Sequence, residues 1–215
     1  MRKMRSLAIC ALSSLTMMGL AACETQTIYE PNPAAKLISH ASAQRPTFTP
    51  GDEFWFYLGG NEIVAEEYEG ERDGLHAFRR ALQNVTILYT PDLARVRTER
   101  AFSDDEIFEP DDGELEFPLA VSKTWSRKYR VRNESTMYST TRTRDCEVLD
   151  LGQAQLEAGT FQVFRIACTL SELGEASVVQ EELLYAPEVG RVINRRRLGG
   201  GTTLNLIEYK RAAPN

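Results

Sequence analysis

The chain has 215 residues and a net charge of −6, with 25 Lys and Arg against 31 Asp and Glu. An acidic chain is a poor candidate for binding nucleic acid or an anionic bilayer surface, so we expect no nucleic-acid partner. The length is that of one domain with a core large enough to fold alone.

Residues 1–22 have the composition of a secretory signal peptide. Arg2, Lys3 and Arg5 come first, residues 6–20 are mostly apolar, and small residues follow. The apolar run is shorter than the ~20 residues that cross a bilayer. This order of basic, apolar and small residues is typical of an export signal rather than a membrane span, so we predict that the segment is removed.

The export signal ends with Leu20, Ala21, Ala22 and Cys23. These residues resemble the lipobox of bacterial lipoproteins at all four positions. The resemblance implies that the Cys23 thiol takes a diacylglyceryl group, that cleavage frees its amine, and that the amine takes a further acyl chain such as palmitate. Two or more chains would hold the protein stably on a membrane. A plain secreted product without lipid is the alternative.

Lipidation would place the protein in the bacterial cell envelope, facing the periplasm. Glu24 follows the lipidated cysteine. In enterobacteria-like sorting, an aspartate at this position keeps lipoproteins in the inner membrane. The glutamate therefore favours the outer membrane.

Residues 23–50 are predicted to be a lipidated N-terminus followed by a flexible linker. The sequence after the cysteine, ETQTIYEPNPAAKLISHASAQRPTFTP, holds four prolines and many small polar residues, with no sustained apolar period. Such a composition is typical of a tether. Fully extended, it would reach on the order of 90 Å.

Residues 51–212 are predicted to form a single all-β domain. Short aromatic or β-branched segments recur between turn residues, for example DEFWFYL, NVTILYT, TFQVFRI and TTLNLIEYK. This spacing predicts about 9–12 short antiparallel strands, in a sandwich or an open barrel-like sheet. The segment TPDLARVRTER is ambiguous. Thr90 and Pro91 suit the start of a helix, whereas Val96 and Thr98 suit a strand, which we favour.

The cysteine count predicts one disulfide. Cys10 leaves with the signal and Cys23 is consumed by lipid, so Cys146 and Cys168 remain as an even pair. In an oxidising compartment such a pair usually bonds. Two buried free thiols are the alternative.

The sequence between these two cysteines is predicted to be a hairpin that turns at Ala158 and Gly159. A two-residue turn there would put the two cysteines on opposite faces, because side chains alternate along a strand. One extra residue in the first strand would bring them to the same face. We therefore predict a bulge near Gly152, since glycine in a strand often marks a bulge.

Three phrases resemble a loose group of uncharacterised bacterial envelope proteins. They are FPLAVSKTW at 117–125, LEAGTFQVFRI at 156–166 and LYAPEVGRVINR at 184–195. The first phrase departs from the group, which commonly has Gly-Lys where this chain has Ser122 and Lys123. The resemblance implies an all-β periplasmic fold without an established activity. On the residues alone, we expect the large aromatic side chains Trp125 and Phe161 to be buried.

The sequence offers no convincing catalytic site. Its two histidines are His40, in the linker, and His76, in a predicted strand. A Ser-His-Asp arrangement would need His76, but the Gly-x-Ser-x-Gly elbow is missing, and His76 is better interpreted as a half-buried strand residue. Phosphate loops, dinucleotide motifs and His/Cys metal spacings are missing too. We therefore predict no enzyme activity, no cofactor and no metal.

The stretch SDDEIFEPDDGELEF at residues 103–117 holds eight Asp and Glu. Clustered carboxylates suit a hard cation such as Ca²⁺, but the EF-hand spacing is missing. Blocks of like charge usually stay in water. We predict a solvated loop.

Basic residues recur in SKTWSRKYRVR. Alternation puts Lys128, Arg130 and Arg132 on one face, opposite Trp125 and Tyr129. We favour a solvated sheet face that the acidic stretch partly neutralises. The alternative is an anion-binding face for lipopolysaccharide phosphates or peptidoglycan carboxylates. The same basic group includes Lys123, Arg127, Arg142, Arg144 and residues 195–197.

The predicted role is non-catalytic binding or scaffolding by a lipid-anchored envelope protein. The expected partners are the membrane, through the lipid, and lipopolysaccharide, peptidoglycan or another envelope protein. One alternative is a carrier of an apolar or lipid ligand, which would need a continuous apolar cavity of ~300 Å³ or more. A hydrolase-type enzyme is the second alternative, and it would need His76 in a cleft beside a hydroxyl and a carboxylate.

Overall fold

The computed structural model describes residues 28–32, 41–59, 61–136 and 138–213, and within these ranges the chain forms fifteen strands. They are β1 (Ile28–Pro31), β2 (Ser42–Ala43), β3 (Glu53–Leu58), β4 (Glu62–Arg72), β5 (Leu75–Arg80), β6 (Val85–Tyr89), β7 (Arg95–Arg100), β8 (Glu106–Glu109), β9 (Leu119–Ala120), β10 (Thr124–Asn133), β11 (Ser139–Leu156), β12 (Gly159–Glu172), β13 (Val178–Ala186), β14 (Arg191–Arg197) and β15 (Gly201–Lys210). The described part of the chain holds no helix long and apolar enough to cross a membrane. The predicted signal, Cys23 and His40 lie outside the described residues.

Twelve strands form one closed antiparallel barrel. Strands β3 to β8 and β10 to β15 each pair with the next barrel strand in chain order, and β15 pairs with β3 to close the ring. Strand β1 lies on β11 beyond the end of β10, and β2 pairs with β9 as a separate small sheet. The all-β antiparallel prediction is confirmed. The sheet is closed rather than open, and β11 extends over 18 residues.

The barrel has two different ends because its strands alternate in direction. The connections β3–β4, β5–β6, β7–β8, β10–β11, β12–β13 and β14–β15 meet at one end, which we call the hairpin end. The connections β4–β5, β6–β7, β11–β12 and β13–β14 lie at the other end, together with the residues that join β8 to β10. We call this second end the plug end.

Alternation along each strand builds the core inside the barrel. In β3, Phe54 and Phe56 are fully buried, while Trp55 between them is half-buried. This pattern is expected where one face of a strand meets the core. Neighbouring strands add more rings, and the Phe78 ring centroid lies 5.1 Å from that of Phe48. Aromatic side chains bury large areas, so this cluster is a main source of stability.

Part of the segment predicted to be a linker belongs to the folded body. Strand β1 pairs with β11, and the Tyr29 hydroxyl donates a hydrogen bond to Asp150, which also pairs with Arg165. Further along, Phe48 packs its ring on the core. The expectation of a linker depended on prolines and small polar residues. The segment also contains Tyr29 and Phe48, and burying their aromatic surface favours packing on the body over an extended linker.

Cys146 on β11 lies directly opposite Cys168 on β12, and the two form a disulfide with Cα atoms 4.2 Å apart. The predicted pairing is confirmed. The register shifts between Val148 and Asp150, which leaves Leu149 as the extra residue of a bulge. The predicted bulge therefore exists, but three residues before the predicted position.

Gly152, where the bulge was predicted, is needed for a close approach instead. A Cβ atom there would lie 2.6 Å from the Glu30 carbonyl oxygen and 2.5 Å from the Tyr29 hydroxyl. Glycine therefore lets the backbone of β1 lie against β11. The turn also falls one residue earlier than predicted, at residues 157–158.

Two further expectations from the strand pattern agree with the structure. Trp125 and Phe161 are buried, with 7% and 4% of their surfaces exposed. Residues 95–100 form strand β7 rather than a helix. Alternation and aromatic content were therefore sufficient to assign these positions.

Asp52 ties the start of β3 to the residues after β15. Its fully buried carboxylate accepts hydrogen bonds from Arg211 Nη1 at 2.7 Å and from the Ala212 backbone nitrogen at 2.8 Å. Arg211 also donates to the Val189 carbonyl oxygen at 2.8 Å. These bonds reinforce the pair of strands that closes the barrel.

The prediction of a solvated acidic loop is wrong for the second half of that stretch. Residues 110–118, which we call the plug, turn into the barrel, and Asp112 is fully buried. Trp125 Nε1 donates a hydrogen bond to the Gly113 carbonyl oxygen at 2.9 Å. Gly113 has a φ of 60°, and a Cβ atom there would overlap the Arg127 side chain. The plug stays inside because arginines of the barrel wall neutralise its carboxylates.

Candidate functional site

A cavity of about 220 Å³ lies inside the barrel, between the plug and the walls formed by β3 to β7, β14 and β15. We call it the charged cavity. Charged side chains make up about half of its lining. They are Arg80, Arg95, Arg191, Arg195, Arg197, Glu66 and Glu114.

Glu66, Arg80 and Arg191 form the first charged group, which we call the Glu66 cluster. They come from β4, β5 and β14. Glu66 Oε1 accepts a hydrogen bond from Arg80 Nη2 at 2.5 Å, and Oε2 accepts one from Arg191 Nη2 at 2.5 Å. Burial alone would raise the pKa of Glu66, but the two guanidinium groups outweigh it and hold the pKa below its ordinary value. The carboxylate is therefore ionised at neutral pH.

Arg191 is held by aromatic faces as well as by its carboxylate. Its side chain is 9% exposed. The guanidinium carbon lies 4.1 Å from the ring centroid of Phe78 and 5.3 Å from that of Tyr89, which are cation–π distances. Its Nη1 is buried and has no hydrogen-bond partner among the described residues. Arg191 thus keeps one donor available at the cavity wall.

The second charged group, which we call the plug cluster, joins two carboxylates of the plug to three arginines of the barrel wall. It consists of Asp112, Glu114, Arg95, Arg144 and Arg195. Asp112 Oδ1 accepts a hydrogen bond from the Arg95 backbone nitrogen at 2.8 Å, and its Oδ2 lies 3.4 Å from Arg95 Nη2. Glu114 accepts a hydrogen bond from Arg195 and lies 3.6 Å from Arg144 Nη1. The backbone of the plug is therefore fixed to three separate strands.

Charge–charge attraction overcomes burial in the plug cluster. Burial would raise the pKa of Asp112, but Arg144 and Arg95 lower it below its ordinary value. Burial would lower the pKa of Arg195, but Glu114 outweighs that effect and raises it. Both groups stay charged at neutral pH.

Positive charge is in excess around the cavity. Arg197 and Glu181 pair beside the two clusters at 3.3 Å. With this pair, six guanidinium groups face four carboxylates among the described residues, an excess of two positive charges. Arg195 Nε, Arg144 Nε and Arg144 Nη1 are also buried without hydrogen-bond partners in the part of the chain described. Buried donors normally find partners, so an anionic group or water is the expected complement.

The charged cavity is reached from the hairpin end. Along β14 toward that end, the exposed fraction of the side chain rises from 9% at Arg191 to 22% at Arg195 and 57% at Arg197. The Arg197 side chain stands at the rim. A solute entering there would meet guanidinium groups first.

Lys128, Arg130 and Arg132 lie on the outside of β10 and not in the cavity. Lys128 and Arg130 are exposed, and Arg130 Nε donates a hydrogen bond to Ser139 Oγ at 2.6 Å. Arg132 Nε lies 2.9 Å from a Glu109 oxygen. This outer face therefore has two exposed cations and a third that is partly neutralised.

Sequence reasoning missed the interior charges. It grouped Arg144 with solvated residues, whereas the structure leaves only 4% of that residue exposed. A local signal existed for Glu66, because it has the same strand parity as the buried Val64 and Tyr68. Parity places a carboxylate inside but does not identify its partner. Arg191 lies 125 residues further along the chain.

His76 is buried rather than half-buried. It is 8% exposed, its Nδ1 lies 3.1 Å from the Tyr68 hydroxyl, and its ring packs against Phe48. Burial lowers its pKa, so the imidazole is neutral at neutral pH. Among the described residues, no group of His, Cys, Asp and Glu is arranged to hold a metal ion.

The fold defines an up-and-down antiparallel barrel with an internal plug and a charged cavity. Among solved structures, it is similar to the hypothetical lipoprotein YmcC from Escherichia coli, with a TM-score of 0.53 and 10% identity over 85% of this chain and 91% of YmcC. At this identity the likeness establishes a shared fold alone.

Two other solved structures are less similar. One is a protein proposed to be exported, with a YmcC-like fold, from Bacteroides fragilis. Its TM-score is 0.47 and its identity 11%, over 80% of this chain and 100% of that one. The other is a proposed lipoprotein from Parabacteroides distasonis, with a TM-score of 0.42 and 8% identity over the same shares. No protein-family model matches the chain, and no curated protein matches it.

Proposed function

We propose that the protein is a lipid-anchored protein of the bacterial cell envelope that faces the periplasm and acts by binding rather than by catalysis. The observation that carries this proposal is the disulfide between Cys146 and Cys168. Disulfides persist in oxidising compartments such as the periplasm and are rare in the cytosol. The lipobox that ends in Cys23 and the description of YmcC as a hypothetical lipoprotein agree with this placement. Glu24 favours the outer membrane over the inner membrane.

The charged cavity supports a binding role. It offers several fixed guanidinium donors, whereas His76 is buried against Tyr68 and Phe48, so the residue that a hydrolase would need gives that alternative no support. The carrier alternative gains no support from this cavity either. Its volume of about 220 Å³ is below the ~300 Å³ expected for such a ligand, and its wall is charged.

The outer face of β10 is a second candidate binding surface. Lys128 and Arg130 are exposed there, beside Arg132. Exposed cations on a rigid strand suit the phosphates of lipopolysaccharide, the carboxylates of peptidoglycan or an acidic patch of another envelope protein.

The anchor is tested by expressing the full chain in a Gram-negative bacterium and separating its membranes. We expect the wild type in the outer-membrane fraction, with acyl mass on Cys23, and a Cys23→Ser chain in the soluble periplasmic fraction. In both, Cys146 and Cys168 should resist alkylation until a reductant is added. A mature chain with a bare, unmodified amino terminus would contradict the anchor.

The outer face is tested on the Cys23→Ser chain with purified cell-wall material. We expect salt-sensitive retention that is lost when Arg130→Glu and Arg132→Glu are combined, because both changes reverse the charge of the face. The control combines Arg45→Glu and Lys210→Glu, two cations elsewhere with 60% of each side chain exposed, which changes the net charge equally. Equal losses in the two double variants would remove this surface from the proposal.

A further inference from the structure

We propose that the charged cavity binds the phosphate group of a small molecule or of a lipid headgroup, with Arg191 and Arg195 as its principal donors. This inference names the ligand class of the cavity and rests on the proposed binding role. It does not depend on the lipid anchor.

The first support is the sign and size of the local charge. Six guanidinium groups share four carboxylates around the cavity, which is a net excess of two positive charges among the described residues. A phosphate monoester carries about −1.5 to −2 charges at pH 7. A single phosphate group would therefore balance the cavity, whereas one carboxylate would leave a positive charge uncompensated.

The second support is the supply of buried donors. Arg191 Nη1 and Arg195 Nε are both buried without a hydrogen-bond partner among the described residues. The other edge of each guanidinium is fixed, by Glu66 for Arg191 and by Glu114 for Arg195. The free donors are thus held in position before a ligand arrives. A phosphate offers several acceptor oxygens, and the planar guanidinium fork matches its geometry.

The choice of cation agrees with this ligand. Every cation in the lining of the charged cavity is an arginine, and none is a lysine. Arginine is favoured over lysine where an oxyanion is recognised through several directed hydrogen bonds.

The size of the cavity limits the ligand. A volume of about 220 Å³ holds a phosphate and a few attached atoms, since drug-sized ligands occupy roughly 300–1,000 Å³. The remainder of a larger ligand would extend past Arg197, whose side chain is 57% exposed at the rim. A sugar phosphate and a phospholipid headgroup both satisfy this condition.

The test is isothermal titration calorimetry on the full chain carrying Cys23→Ser, at fixed ionic strength. The probes are inorganic phosphate, glucose 6-phosphate, dihexanoylphosphatidate and, as a comparison, acetate. We expect one site per chain for inorganic phosphate and at least about tenfold weaker binding of acetate. Tighter binding of glucose 6-phosphate than of the phosphatidate would assign the source as a soluble ester, and the reverse order would assign it as a lipid.

Three variants of adjacent residues on β14 give matched controls. Arg195→Gln should weaken phosphate binding by about tenfold or more. Arg197→Gln, at the exposed rim, should weaken it by a smaller factor, and Glu181 keeps Arg144 at 4.0 Å as a second partner. Arg196→Gln should leave it unchanged, because Arg196 points outward and pairs with Glu182 at 3.3 Å.

Two results would overturn the inference. One is no detectable heat from any phosphate probe at up to about 10 mM in the folded wild type. The other is equal weakening by Arg196→Gln and Arg197→Gln, since a general charge effect would act on both. Either result leaves the fractionation test of the anchor unaffected, so the two proposals can fail separately.

Discussion

The Glu66 carboxylate has only 1% of its surface exposed, yet each of its oxygens faces a guanidinium group. Buried ion pairs of this kind add little net stability over apolar packing, because taking charges out of water is costly. Removing one partner of such a pair, in contrast, lowers the stability of the fold. The remaining charge is then buried without compensation, which typically costs about 3–5 kcal/mol. Arg80 and Arg191 therefore make Glu66 hard to replace.

Acidification should weaken the fold through Glu66. The pKa of Glu66 is lowered on folding, so its stabilising contribution is complete above the ordinary glutamate pKa of about 4.3 and is lost as the pH falls through the lower folded value. We expect the melting temperature of the wild type to drop from about pH 5 to about pH 3.

Glu66→Gln should melt at a lower temperature than the wild type at pH 7 and should lose less on acidification, because one titrating group has gone. Glu208→Gln is the control, since Glu208 is 55% exposed beside Lys210. It should follow the wild-type profile. A Glu66→Gln profile parallel to that of the wild type would show that other carboxylates control the acid response.

Some structural elements could be predicted from the local sequence, whereas others could not. Strands β3, β10 and β12 follow from alternation, and the disulfide follows from the cysteine count in an oxidising compartment. The bulge could be predicted to exist, but not to fall at Leu149, because Gly152 has a second reason to be glycine. That reason is the approach of β1, and nothing in the sequence around Gly152 indicates which strand will lie there.

The plug could not be predicted from its own residues. A run of carboxylates stays in water unless cations elsewhere compensate it. Here the cations are Arg95, Arg144 and Arg195, which come from three strands far apart in the chain. Only the closed barrel brings them together. The charged cavity was missed for the same reason, since it exists only when opposite walls of the barrel face each other.

At the scale of the whole molecule, strand β1 determines how closely a lipid anchor would hold the body. Ile28 pairs with Gln155 near the plug end. Five residue steps separate Cys23 from Ile28, a reach of at most about 18 Å. With the proposed lipid on Cys23, the plug end would stay close to the bilayer, and the hairpin end would point away from it.

Fluorescent labels on single cysteines that replace two exposed glutamates should detect this orientation. Glu157→Cys lies in the β11–β12 turn at the plug end, and Glu175→Cys lies in the β12–β13 connection at the hairpin end; both positions are exposed. In vesicles that carry a headgroup quencher, we expect the lipidated protein to be quenched more strongly at position 157.

The same two labels are then compared in the Gly152→Val protein. A side chain at position 152 would collide with the Glu30 carbonyl oxygen and should release β1. The difference in quenching between the two labels should then shrink. Without the pairing of β1, the chain between Cys23 and the body would extend toward residue 41, so the body would be held less closely. Gly200→Ala is the matched glycine control, since its added Cβ would meet its nearest neighbour at 3.4 Å. Equal quenching of the two labels in the parent protein would contradict the short reach.

The closure of β15 onto β3 has a consequence for how the protein is made. A ribosome delivers β3 first and β15 last among the barrel strands, so every nascent intermediate has two unpaired edges. Such edges invite pairing with other chains. Pairing of β15 with β3 removes both edges, and Arg211, which emerges next, reinforces the closure by pairing with Asp52. A stop codon before residue 201 would remove β15 and leave β3 and β14 with unpaired edges, so we expect an aggregation-prone product rather than a smaller barrel.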